Sequence, residues 1–222
     1  MINQIFIFVL FLCISCVGEV KSRFSSSDSD LFDKYLKLFQ VNSLPIAIDR
    51  AVVIKLNNDK QILSPISNII YKQYIPEEIR NKDSNNPSSY RALYLLPEIN
   101  NNLIVLVVKD IFIESEMYSA VIIYMVSYKK DSEIIDFKEI AMFRPESSEA
   151  FACISETYEI EGLLYQRKMN TNKEYSKFAY MIETKSKCKI DESGNIKEIF
   201  TDKTEGFFEL VSGGYKLIKE VN

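Results

Sequence analysis

Ser127 and Lys130 stand in a Ser-x-x-Lys spacing, which on a helix can set an amine beside a hydroxyl nucleophile. Here Ser127 falls in a β-like run, where residues three apart point to opposite faces, so the spacing carries no chemistry. Carboxylate pairs such as Glu114 with Glu116, or Glu156 with Glu159, could run glycoside hydrolysis without an imidazole. Acidic residues are frequent enough to give such pairs anywhere, and these are read as solvated charges. Asp191-Glu192-Ser193-Gly194-Asn195 offers oxygens to a cation but lacks the length and final glutamate of an EF-hand loop. It reads as the turn of a β-hairpin.

What is missing excludes more than what is present suggests. The chain has no histidine, and therefore no His-activated nucleophile, no His-ligated zinc and no imidazole switch. Its six glycines leave the stretch between Gly18 and Gly162 empty of glycine, so no phosphate-cradling loop of the GxGxxG or GxxxxGK type exists. No tryptophan is available for stacking on sugars. No catalytic residue, metal ligand or cofactor site is assigned. With 222 residues, 47% hydrophobic and 26% charged, the chain can bury a substantial core. A formal charge of −4 and a pI near 5.2 argue against nucleic acid as a partner.

Residues 5–17, IFIFVLFLCISCV, are uncharged and apolar, and shorter than the roughly 20 residues a membrane-crossing helix needs. Small residues Ser15, Cys16 and Gly18 follow before the first charges, Glu19 and Lys21, which is the order of a secretory signal. The expected organisation is a signal at 1–18, a polar tether at 19–29 and one globular domain at 30–222. Leu12-Cys13-Ile14-Ser15-Cys16 resembles a bacterial lipoprotein box, with Cys13 standing where that family usually has leucine. The resemblance implies lipid attachment at Cys16; the alternative is cleavage near Gly18 and free secretion. The protein is thus expected outside the cytosol, as a periplasmic or outer-membrane lipoprotein or as a secreted protein. Membrane contact is expected only through the lipid.

Cys153 and Cys188 remain in the body of the chain, and an oxidising compartment would permit a disulfide between them. Strand parity argues against it, because Ile154, Tyr158 and Ile160 leave Cys153 on the outer face while Cys188 shares a face with Ile182 and Ile190. Charge is also polarised. Glu146, Glu149, Glu156, Glu159 and Glu161 occupy a stretch without lysine or arginine, whereas 167–189 carries Arg167, Lys168, Lys173, Lys177, Lys185, Lys187 and Lys189. Either the two blocks pair across strands, or the glutamates form an acidic face for a basic partner.

These residues must be positioned by a mainly β (α+β) fold. A helix is expected over 30–39, from Phe32, Tyr35, Leu36 and Phe39 at helical spacing. The β-branched AVVIKL within 44–56 reads as a strand. Ser64-Pro65 reads as the start of a second helix that ends before Pro76. A loop at 81–89 precedes a series of short apolar or alternating segments, as in an antiparallel meander folded into a sheet, sandwich or partial barrel. Residues 103–108 and 118–128 are apolar on both faces and belong at the sheet centre, with helices on one side and later strands on the other.

In outline, the signal with its cysteine, the tether, the early helix and the antiparallel sheet resemble the small uncharacterised lipoproteins of Bacteroidetes-type bacteria, a resemblance that implies no activity. The function expected is a non-catalytic binding module of the cell envelope, for a protein or small-molecule ligand, with an inhibitor or immunity role through the acidic face as a more specific form. The alternative is a hydrolase built on paired carboxylates or a Ser-Lys pair.

Overall fold

The computed structural model describes residues 26–82, 84–113, 118–212 and 214–221. The apolar run at 5–17, Cys16, most of the tether, Glu114 and Glu116 lie outside the described residues. The elements in chain order are α1 (Ser26–Leu36), β1 (Gln40–Val41), β2 (Ile46–Ile48), α2 (Arg50–Asn58), β3 (Ser64–Pro65), α3 (Asn68–Tyr74), α4 (Glu77–Asn81) and β4 (Ser88–Leu95). There follow β5 (Asn102–Ile113), β6 (Tyr118–Lys129), β7 (Ile134–Arg144), β8 (Ser148–Ile154), β9 (Glu159–Arg167), β10 (Ala179–Ile190), β11 (Ile196–Val211) and β12 (Gly214–Glu220). The twelve strands of the described residues join one open sheet, ordered β1-β4-β5-β6-β7-β8-β9-β10-β11-β12, with β3 on β4 and β2 on β8. The fold is mainly β, and every consecutive pairing from β4 to β12 is antiparallel.

Four local expectations are corrected. The AVVIKL segment is helix α2, not a strand: the Asp49 carboxylate accepts from the Val52 N–H at 2.9 Å, and Val53 and Leu56, one turn apart, enter the core. The cap and the buried stripe outweigh the β-branched composition, whose helical cost is only about 0.5 kcal/mol per residue. Ser64-Pro65 is a short outer strand pairing with Ala92 and Arg91, a place where the missing proline N–H costs nothing, and the helix begins three residues later. Pro76 does end α3, but α4 follows directly, so the described residues hold four short helices where two were expected. Residues 26–29 of the tether belong to α1.

Strands β5 and β6 are buried on both faces, in keeping with their two-sided apolar sequence. On one face Val105, Val107, Ile122, Tyr124 and Val126 pack against Phe32 and Tyr35 of α1, Tyr74 of α3 and Ile79 of α4. The Tyr128 hydroxyl donates to the Tyr74 carbonyl at 2.6 Å and meets the Tyr35 hydroxyl at 3.1 Å. Burial pushes both phenols up, so each stays a protonated donor. On the other face Ile104, Leu106, Val108, Val121, Ile123 and Met125 meet α2 and the later strands.

Two cations, Arg91 on β4 and Lys109 on β5, finish the helices. Arg91, 3% exposed, donates to the Leu56 and Asp59 carbonyls at the end of α2, at 2.8 and 3.2 Å, while Asp110 holds its guanidinium at 2.6 and 2.8 Å. Lys109, fully buried, donates to the Ile79 and Lys82 carbonyls at the end of α4. Orphan helix carbonyls and buried cations thereby satisfy one another.

The later strands return over the α2 side because β7 leaves β8 after only three paired positions, 142–144, and β2 takes its place along 152–154. The tip of the β10–β11 hairpin then docks on the far ends of β5 and β7. Asn102 Nδ2 donates to the Glu192 carbonyl at 3.3 Å, the Ile196 N–H donates to Asp136 at 2.8 Å, and Lys138 lies 3.5 Å from Glu198.

Gly194 makes this docking fit: its φ is +88°, and a Cβ there would stand 2.7 Å from Ile135 Cδ1 and 2.8 Å from Ser127 Oγ. Gly194→Ala is expected to cost about 2 kcal/mol, from strain and displacement together, read as a lowered urea midpoint. In the same turn Lys197, helped by the Asn195 and Ser193 N–H groups, holds the Asp191 carboxyl at about 2 against 3.8. A lowered folded value means that the stabilisation is complete above 3.8 and is lost as pH falls through about 2. An NMR titration of the Asp191 carboxyl should show the low midpoint, and Lys197→Ala should raise it.

Candidate functional site

Pairing register carries one row of side chains across five strands on the outer face of the folded-back leaf. Ala47 pairs with Cys153, Cys153 with Glu161, Glu161 with Lys187, and Lys187 with Phe200. Phe151, Leu163 and Lys185 form the next row on the same face, since residues two apart share a face. With Asp49 and Arg50 at the start of α2, these rows enclose a groove of about 520 Å³. Leu163 is 36% and Phe200 54% exposed, so the groove offers apolar surface to solvent. On the reverse face Ala150, Leu164, Thr184 and Thr201 line a smaller cavity of about 210 Å³.

The charges around the groove are matched in pairs. Arg50 donates to Glu149 through Nε at 2.8 Å and Nη2 at 3.2 Å, and the Tyr215 hydroxyl donates to the same carboxylate at 3.0 Å. Arg167 lies 3.8 Å away. The Glu149 hydrogen bond raises the Arg50 guanidinium above its ordinary value, which keeps it charged. Lys187 stands 2.8 Å from Glu159 and 3.6 Å from Glu161, and its ammonium holds the Glu159 carboxyl below the usual range. Lys185 lies 3.2 Å from Glu183, which also accepts from the Tyr165 hydroxyl at 2.9 Å. Compensated ions leave an apolar floor with a polar rim, an arrangement suited to an uncharged or amphipathic guest rather than a highly charged one.

The five glutamates expected to make one acidic face do not gather on one surface. Glu149 is buried under Arg50 and Tyr215, and Glu159 and Glu161 are joined to Lys187. Glu146 and Glu156 are exposed but sit in the turns at opposite ends of β8, whose seven residues span roughly 20 Å. Cross-strand pairing thus absorbs much of the charge polarity seen in the sequence.

Cys153 and Cys188 form no disulfide: Cys153 is exposed in the groove, Cys188 is buried, and β9 lies between them with the two on opposite faces. Ser127 is fully buried, whereas Lys130 is exposed and 3.0 Å from Glu98. Asp191 Oδ1 accepts from the Ser193 and Asn195 N–H groups at 2.9 and 3.0 Å, closing the hairpin turn. Among the described residues no group of three or more acidic or cysteine side chains could hold a metal ion, and no helix is long and apolar enough to cross a membrane.

The groove residues carry no motif. Ala47, Arg50, Leu163, Lys185 and Phe200 are scattered over 154 positions of the chain and meet only through register, so only the alternation of β8 to β11 hinted at a shared face. No family model matches the chain, and no curated protein or solved structure matches it.

Glu149 is the carboxylate on which the rim is organised. Glu149→Ala, which strips Arg50 of its buried partner, should destabilise the fold by about 3 kcal/mol in urea denaturation, and Tyr215→Phe, which removes one hydrogen bond, by about 1 kcal/mol.

Proposed function

We propose that the protein is a non-catalytic binding module that works at the cell envelope or outside the cell, and that the groove across β2 and β8 to β11 is its ligand site. The observation that carries this reading is the groove itself: about 520 Å³ of mainly apolar lining, with charged groups compensated at the rim. That volume falls within the range of small-molecule sites, roughly 300–1,000 Å³. Its guest is a small amphipathic molecule. The apolar run at 5–17 and the cysteine box ending at Cys16 support export, with lipid attachment or free secretion as the two fates of the mature chain.

Cys153 supplies the test, because it is exposed in the groove while Cys188 is buried. The maleimide modification rate of Cys153, followed by peptide mass mapping, should fall when small-molecule fractions of an envelope extract are added. Leu163→Arg, which places a charge on the groove floor, should abolish the protection. A rate unchanged by every fraction would refute the groove as a ligand site.

A further inference from the structure

A second surface lies apart from the groove floor, at the end of the sheet where β9 gives way to β10 and β11 to β12. Ala179 pairs with Phe208, and Val211 pairs with Gly214 three positions further on, so the 168–178 loop and the last residues of β11 lie at the same end. Three exposed apolar side chains stand at this end: Met169, 86% exposed, and, on opposite faces of β11, Leu210, 55%, and Val211, 40%. Single exposed apolar residues are ordinary; three at one end of the sheet are not.

The loop is built to hold that arrangement. Asn170 Nδ2 donates to the Tyr175 and Phe178 carbonyls, each at 2.9 Å, and Asn172 Oδ1 accepts from the Glu174 N–H at 2.9 Å. The Tyr175 ring stacks on Phe207 of β11 with centroids 4.7 Å apart, and Phe207 stacks in turn on Tyr180 at 5.1 Å. Met169 is therefore held outward on a loop tied to the sheet. Residues 167–178 carry Arg167, Lys168, Lys173 and Lys177 against the single carboxylate of Glu174. Lys168 is engaged by Glu205 at 2.8 Å, and Lys173 and Lys177 are exposed.

We infer that this end of the sheet rests on an anionic lipid surface, with Met169, Leu210 and Val211 entering the acyl boundary and Lys173 and Lys177 facing the headgroups. The cations alone would suit any polyanion. The apolar side chains beside them favour lipid, since a bilayer offers hydrocarbon directly beneath a broad negative surface. The half-buried Tyr175 and Phe178 then lie at headgroup depth, where amphipathic rings are favoured.

The chain contains no tryptophan, so Met169→Trp installs a single reporter at the tip. Ile69→Trp, at an exposed position of α3, is the control. The apolar run at 5–17 can hold the full chain on any vesicle, and the readout is therefore the surroundings of one side chain rather than sedimentation. With phosphatidylcholine vesicles containing phosphatidylglycerol, emission from residue 169 should shift to the blue and be quenched by brominated acyl chains, while the control should not change. Pure phosphatidylcholine should give little shift. Lys173→Gln and Lys177→Gln should each weaken the inserted state about fivefold. A water-like emission at residue 169 on vesicles that retain the chain, as expected of a tip made for a protein partner, would overturn the inference; so would equal shifts on neutral and anionic vesicles.

Discussion

Strands β5 and β6 have no polar face, and that constraint organises the molecule. Ile104, Leu106 and Val108 point one way and Val105 and Val107 the other, with the same division along β6. Burying such side chains is worth about 1.5–3 kcal/mol each, so neither face can be left to water. Helices α1, α3 and α4 cover one face. The other is covered by α2 and by the chain's own later strands, which must turn back to reach it. Release of β8 from β7 and the docking of the β10–β11 tip are the means of that return. Arg91 and Lys109 then fasten the helices to the sheet they cover.

Folding the leaf back leaves its outer face without a covering layer, and the groove occupies that face. A strand that closes a core on one side and faces solvent on the other would usually be polar outside. Here Leu163 and Phe200 depart from that rule, and ion pairs surround them instead of replacing them. Burial of Glu149 is part of the same design: one carboxylate fixes Arg50 at the start of α2 and Tyr215 on β12, joining the first and last parts of the domain at the groove rim.

The groove and the projecting end of the sheet are chemically distinct. One is an apolar floor with matched charges, suited to enclosing a small guest. The other is a set of apolar tips beside exposed lysines, suited to a broad anionic surface. Both are built on β9, β10 and β11, so a guest in the groove would be held at a defined height above whatever surface the tip contacts.

Composition and periodicity by themselves determined the β-rich class, the double burial of β5 and β6, the helix containing Phe32 and Tyr35, the hairpin turn at 191–195, and the exclusion of imidazole chemistry. Each follows from the residue types and local spacing along one segment. Strand parity likewise indicated that Cys153 and Cys188 face apart. Tertiary structure alone decided that AVVIKL is a helix, because its cap and buried stripe overrule a propensity of a few tenths of a kcal/mol per residue. It alone decided that Glu149 is a buried anchor and not part of an acidic face, and that Ala47, Arg50, Leu163 and Phe200 line one groove. The reason is that register between distant strands sets these neighbours, and register is chosen by the packing of the whole sheet, not by any stretch of sequence that the groove residues share.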